Sequence, residues 1–278
     1  GTLVYRRSNP ATDFTISAAS AFTIPETAGL YIDYPNNSSN RNILIANAAN
    51  NTSDLMLDGK LTVKAGNVYV GPTNGTTTNN NDIVYSGNGS STLDIQGGKL
   101  LVNGQIRRST ATTTGALKYY QTNGDVVING QGADATALTR AKLEVVNTGS
   151  VFSMSGGTIS IVRGGGTSFG DLYLRPASGS VTGGEIIFTQ VPSGWAVADA
   201  AQAYRLDASI PLNSLKVTGK TTATARSATV TLMVNPLALN GSLTLSNNQS
   251  YFDANSGNNL NVSINGDLTN NGTYYPRL

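Results

Sequence analysis

The sequence contains no cysteine and no histidine, and only 12% of its 278 residues are charged. Without cysteine there is no disulfide framework, no thiolate nucleophile and no thiolate metal site. Without histidine the commonest general base is gone, as are the usual zinc and copper ligands, which excludes Ser-His-Asp and Cys-His chemistry. The charged fraction is about half its usual share of about 25%. A net charge of +2, spread without any long basic run, gives no electrostatic footprint for nucleic acid or for an anionic membrane surface. No stretch approaches the ~20 consecutive apolar residues that cross a bilayer as a helix. We therefore expect no enzyme, no cofactor and no metal.

What the chain does have is Gly, Asn, Ser and Thr in quantity, with 39% hydrophobic residues. That mixture favours strands and turns over helices, and its β-branched content separates it from disordered segments. The chain starts at Gly1 without an initiator Met and stops just after a strand-like repeat, so we read residues 1–278 as a single segment of a longer polypeptide. Targeting signals would then lie outside it.

One phrase recurs: a turn with Gly, an apolar residue, then an alternating strand. It appears as Gly59-Lys-Leu-Thr-Val63, Gly98-Lys-Leu-Leu-Val102, Gly124-Asp-Val-Val-Ile128, Gly157-Thr-Ile-Ser-Ile161 and Gly184-Glu-Ile-Ile-Phe188. Asn213-Ser-Leu-Lys-Val217, Gly241-Ser-Leu-Thr-Leu245 and Gly266-Asp-Leu268 continue it. Taking Leu61, Leu100, Val127, Ile159, Ile186, Leu215, Leu243 and Leu268 as equivalent gives steps of 39, 27, 32, 27, 29, 28 and 25 residues. A second strand often precedes the phrase, as at Thr92–Ile95, Val151–Met154 and Leu260–Ile264, so each repeat holds at least two strands and a corner.

Period-2 alternation puts one set of side chains on one face. A single repeat cannot bury that face, whereas stacked repeats make a continuous interior. We therefore expect an all-β, right-handed parallel β-helix, a solenoid of roughly ten coils, with right-handedness following from the rule for parallel crossovers. The rival is an antiparallel β-sandwich, because Asn-Gly between apolar runs is a strong hairpin signal. Asn-Gly occurs at 103–104, 123–124, 129–130, 240–241, 265–266 and 271–272. It keeps the same place relative to the apolar phrase, which points to coil corners needing positive φ. Thr73–Asp82 and Ser109–Gly115 read as polar loops, the first accounting for the step of 39, and Pro192–Ala203 with Trp195 as a longer excursion or one helical turn.

The run Leu243-Thr-Leu-Ser-Asn-Asn248, followed by Leu260-Asn-Val-Ser-Ile-Asn-Gly-Asp-Leu-Thr-Asn-Asn-Gly-Thr-Tyr274, resembles repeats of very large secreted Bacteroidetes proteins. Asn67–Gly71, Asn80–Tyr85 and Gly97–Ile106 are similar in kind. In that group such β-helical stretches occur in cell-surface adhesins, including those of gliding bacteria exported by type IX secretion. The resemblance implies an extracellular, structural and adhesive segment, and it bears on location and architecture more than on a ligand; the partners to weigh are neighbouring coils, which the stacking itself calls for, and a surface polysaccharide. A polysaccharide-degrading lyase or glycosidase is the competing class, and an end-to-end filament subunit the third.

A glycosidase needs two carboxyl groups about 5–10 Å apart, and Asp94, Asp125 and Asp267 sit at comparable turn-strand positions. We expect each instead to accept backbone N–H bonds at a corner. A lyase would use Arg107, Arg108 and Lys118, but adjacent arginines in a strand point to opposite faces and read as a solvated edge. Asp253–Asn259 lacks the Gly and Glu placement of a calcium loop, and Gly164-Gly-Gly166 lacks the Lys-Ser/Thr of a phosphate loop. Tyr69, Tyr85, Tyr119, Tyr120, Tyr173 and Tyr251 could stack on sugars, with half of them expected in the core. The sequons Asn51-Thr-Ser53 and Asn261-Val-Ser263 read as turns. The apolar strands at both ends, Thr2-Leu-Val-Tyr5 and Asp267–Tyr275, carry no polar cap, so we expect them to continue into neighbouring coils.

Overall fold

A computed structural model describes residues 1–6, 12–18, 20–35, 41–49, 53–73, 80–86, 91–112, 114–130, 140–165, 170–190, 201–221, 227–254, 257 and 259–276. Its regular structure is entirely β. The strands form three parallel ladders, one on each face of a solenoid, and the chain visits the faces in a fixed order.

The first ladder runs through Thr2–Arg6, Gly29–Asp33, Lys60–Ala65, Ser91–Ile95, Leu117–Gln121 and residues 151–154 and 178–181. It resumes as Leu212, Leu237–Leu239 and Val262–Ile264. The second is unbroken over ten rungs: Phe14–Thr15, Asn42–Ile45, Asn67–Val70, Lys99–Val102, Asp125–Ile128, residues 158–161 and 185–189, Ser214–Thr218, Leu243–Leu245 and Leu268–Asn270. The third also has ten: Phe22–Ile24, Leu55–Leu57, Ile83–Tyr85, Ile106–Arg108, residues 141–147 and 170–174, Gln202–Ala208, Ala228–Leu232, Ser250–Asp253 and Thr273–Tyr275. Every one of these pairings is parallel, which rules out the antiparallel sandwich. Nine inter-rung steps of about 4.8 Å make a stack about 43 Å tall. Each coil carries three strands, one more than the two visible in the repeat.

Side-chain alternation sorts residues into columns that run the length of the stack. On the second face the inward column reads Ile43, Val68, Leu100, Val126, Ile159, Ile186, Leu215 and Leu243, all at most 2% exposed. Each such burial stabilises by roughly 1.5–3 kcal/mol. This register corrects the repeat read from sequence. Leu61 belongs to the first face, opposite Leu30 and Leu93, and Val126 rather than Val127 is the inward residue of its strand. The step from Val68 to Leu100 is 32 residues, so the apparent step of 39 mixed two faces. Of the Thr73–Asp82 loop, 74–79 lie outside the described residues, and so does Trp195 with most of Pro192–Ala203.

Glycine does two different jobs at the corners. Between the first and second faces, Gly66, Gly98, Gly124, Gly157 and Gly184 lie one above another, with φ from +65° to +99°. Here the backbone needs the left-handed region, and a Cβ on Gly157 would come within 2.2 Å of the Gly124 carbonyl oxygen. Of the eight Asn-Gly pairs in the sequence, six lie among the described residues, and of these only Gly124 has positive φ, so the expectation of positive φ fails for the other five. Gly130 shows what they are for: a Cβ there would sit 2.2 Å from the Gly104 carbonyl oxygen of the coil before it. These glycines permit close approach of coils, which has the same sequence signature as a turn.

Candidate functional site

Charge is scarce in this chain, yet it is concentrated on the outer surface of the third face. The inward column there reads Leu55, Ile83, Ile106, Leu143, Leu172 and Leu206. The residues just before and after each point the other way, and they include Asp54, Asp82, Arg107, Lys142, Glu144, Asp171, Tyr173, Arg205 and Asp207. Asp82, Lys142, Glu144, Asp171 and Asp207 are each no more than 1% exposed. Burying a charge is costly unless it is paired and hydrogen-bonded, and here every one is.

Asp82 accepts from Arg107 Nε at 2.5 Å and from the Gln105 backbone N–H at 2.6 Å, while its own N–H donates to Asp54 at 2.9 Å. Burial raises the Asp82 carboxyl to about 6, against the opposing pull of Arg107 and with help from the neighbouring Asp54 carboxylate. Asp54 is also raised, mainly by burial. Glu144 accepts from Arg108 Nε at 2.9 Å, from the Arg108 N–H at 3.2 Å and from the Ala141 N–H at 2.9 Å. Arg140 completes this group with its Nε 3.2 Å from Glu144.

One coil on, Asp171 accepts from the Gly165 and Arg205 N–H groups, each at 2.8 Å, and faces Lys142 Nζ at 3.6 Å. Lys142 also donates to the Arg163 carbonyl. Burial pushes Lys142 down and Asp171 up, each toward its neutral form. Asp207 is held by Arg175 at 3.2 Å and by the backbone N–H and side-chain amide of Asn235, and the Arg175 guanidinium lies 4.8 Å above the Tyr173 ring.

Chemically, this array ties coils together. Each carboxylate spans from its own strand to a backbone N–H or a cation on a neighbouring coil or corner, so it fixes register and anchors the connecting segments. Asp54 and Asp82 are neighbouring carboxylates on adjacent coils, but Arg107 and burial close Asp82 off from water.

The residues singled out from sequence are dispersed. Asp94 is on the outer surface of the first face, held by Lys60 at 2.8 Å and by the Gln96 amide at 3.1 Å. Asp125 accepts from Thr158 Oγ1 at 2.8 Å, and the Asp267 N–H donates to Ser242 Oγ at 3.1 Å. Asp125 and Asp267 share a column, but five rungs, about 24 Å, separate them. The three therefore make no glycosidase pair. Among the described residues, the carboxylates that accept backbone N–H bonds are Asp13, Asp54, Asp82, Glu144, Asp171 and Asp207 instead. Arg107 and Arg108 do engage different partners, as their alternation requires, but neither is solvated: their side chains are 11% and 9% exposed and ion-paired. Lys118 is on the first face, apart from both.

Tyr85 and Tyr119 are in the core, Tyr119 stacked 5.0 Å from Phe152. Tyr173 is buried under Arg175, Tyr69 packs against an outward apolar cluster of Leu101, Val127 and Val162, and Tyr120 and Tyr251 point outward half-buried. Gly164 and Gly165 lie in a connecting segment whose N–H groups donate to Gln202 and Asp171. Asn51, Gly166 and parts of Asp253–Asn259 lie outside the described residues, and among the described residues no three acidic side chains converge on a metal position. The Arg140-Ala-Lys-Leu-Glu144 run, three charges within five residues of a charge-poor chain, is the sequence signal that points to this cluster.

One open groove lies elsewhere, on the outer surface of the first face near its start. It encloses about 370 Å³ and is lined by Thr2, Glu26, Thr27, Ala28, Gly29, Leu30, Tyr31, Lys60 and Thr62. The outward column here reads Thr2, Gly29, Lys60, Thr92, Lys118 and Val151, so Gly29 is a notch between two side chains. Tyr31 stands beside the notch in the adjacent outward column. Compared with protein-family models, curated proteins and solved structures, the chain matches none.

Proposed function

We propose that this chain is a structural and adhesive segment of a secreted bacterial cell-surface protein, a stiff stack that holds binding surface away from the cell. The observation that carries the reading is where the charge goes. Buried carboxylates and cations of the third face lock coil to coil, which leaves the outer surfaces of the first and second faces for contact along the stack. The resemblance of Leu243–Asn248 and Leu260–Tyr274 to repeats of gliding-type adhesins exported by type IX secretion agrees with that role and with an extracellular location. The test is to display the chain on the surface of a non-adherent bacterium and count attached cells. Attachment above that of a display scaffold alone is expected. No gain in attachment, together with release of reducing ends from neutral or acidic polysaccharides, would replace this reading with the enzyme.

A second reading, end-to-end filament growth, has its own observation. The inward column residues Leu3 and Leu268 are 62% and 48% exposed, and an apolar pocket of about 180 Å³ opens on the first coil between Leu3, Phe22, Ile24 and Leu30. Unpaired parallel edges of this kind template pairing with another chain. Sedimentation of the 278-residue chain should show concentration-dependent association that Leu3→Lys with Leu268→Lys suppresses; a monomer at all concentrations removes the filament reading.

A further inference from the structure

We propose that the groove over Gly29 binds an uncharged sugar unit, with Tyr31 as its stacking wall. The inference rests on the adhesive reading and names the chemical class of its surface ligand.

The argument starts from the column geometry. At the Gly29 position every neighbouring rung has a side chain: Thr2 before it, Lys60, Thr92 and Lys118 after it. Within this column, from Thr2 to Val151, Gly29 alone leaves the backbone bare, and a Cβ would already approach Thr2 Oγ1 to 3.1 Å. The result is a recess rather than a flat sheet, and about 370 Å³ suits a ligand of about one or two rings. Its rim is amphipathic in the way a sugar ring is. Tyr31 offers an aromatic side for C–H faces, while Glu26, Lys60, Thr2 and Thr27 offer donors and acceptors for hydroxyls.

The charges choose between sugar types. Lys60 is the one cation lining the groove, and it is already bound to Asp94 at 2.8 Å; Glu26 adds a second carboxylate at the rim. With the Gly1 α-ammonium engaged by the Thr27 carbonyl at 2.9 Å, two carboxylates balance two ammonium groups, and the groove offers an acidic saccharide no excess of positive charge. Lys60 retains N–H donors beyond the one given to Asp94, and its half-exposed side chain can turn them to neutral hydroxyls.

The experiment is equilibrium binding of the whole chain to cellobiose, maltose and chitobiose, with a galacturonate disaccharide as the acidic arm, measured by calorimetry. The expected result is binding of at least one neutral disaccharide, no binding of the galacturonate, and a tenfold or larger loss in Tyr31→Ala and in Gly29→Val. Tyr120→Ala, on the same outward column three rungs away, should bind like the parent chain, and circular dichroism checks that each variant keeps its β-structure. Neutral-sugar binding that survives both Tyr31→Ala and Gly29→Val, or a preference for galacturonate, overturns the assignment while leaving adhesion standing. Attachment of displayed cells without any disaccharide binding does the same. Binding lost in the two groove variants while displayed cells fail to attach supports the site and removes the adhesive reading.

Discussion

The central coils and the terminal coils of the stack are built from the same repeat but held by different means. Centrally, residues 141–161 and 170–189 run as continuous strands through all three faces, and their outward charges are sealed into pairs around Glu144 and Asp171. At the ends the strands shrink to Phe14–Thr15 and Leu268–Asn270, the second exposed along its whole length. Apolar columns therefore suffice to define a coil, and the central coils add buried charge pairs that tie one coil to the next. A parallel solenoid gains a rung of backbone hydrogen bonds per coil anywhere, so the difference lies in the side chains.

The largest test of that contrast is Glu144→Ala against Asp267→Ala. Removing Glu144 leaves Arg108 and Arg140 buried without their carboxylate, which should cost about 3–5 kcal/mol in urea unfolding. Asp267 is exposed, and its loss should stay within about 0.5 kcal/mol. Equal effects would mean that the central pairs do not lock the coils.

Glycine offers a sharper comparison because two positions share one backbone conformation. Gly157 and Gly257 have φ of +79° and +78°, but a Cβ on Gly157 meets the Gly124 oxygen at 2.2 Å while nothing lies within 4 Å of Gly257. Gly257→Ala should cost about 1–2 kcal/mol, the left-handed penalty alone. Gly157→Ala adds overlap between coils and should cost about 3 kcal/mol or more by the same unfolding measurement.

A smaller effect concerns acid. The folded Asp82 carboxyl titrates at about 6, above its ordinary 3.8, because it is buried. The folded chain thus binds this proton more tightly than the unfolded chain, and its contribution grows as pH falls from about 7 toward 4. Between pH 7 and 4.5 the parent chain should gain stability relative to Asp82→Asn, read as the difference between their urea midpoints. A difference that moves the other way would show Arg107 to outweigh burial. Smallest of all, Asp125→Asn should change stability by less than about 1 kcal/mol, since its partners Thr158 and Lys99 are at the surface.

The stacked architecture was legible because its cause is local: alternation writes the inward columns into the sequence, and Leu100, Ile159, Ile186, Leu215, Leu243 and Leu268 were placed on one column correctly. Leu61 was misplaced because an inward Leu looks the same on every face; only the pairing partner tells them apart. The third strand of each coil was hidden for a related reason, since Ile83-Val-Tyr85 and Ile106-Arg-Arg108 are three residues long, too short to show an alternation of their own. The groove was not legible at all. Gly29 reads as one more turn glycine, and its role as a notch depends on Thr2 and Lys60 lying beside it from coils 27 residues before and 31 after.

The parallel register is the claim on which everything else stands, and the absence of cysteine makes it directly measurable. Thr229 and Tyr251 face each other on adjacent rungs with outward side chains, whereas Asp253 is two residues further along. Their Cα atoms should lie about 5 Å apart in the first pair and about 8 Å in the second, and disulfides need less than about 7 Å. On mild oxidation the account predicts a disulfide in the Thr229→Cys/Tyr251→Cys variant and none in Thr229→Cys/Asp253→Cys. A disulfide in the second variant and none in the first would contradict it.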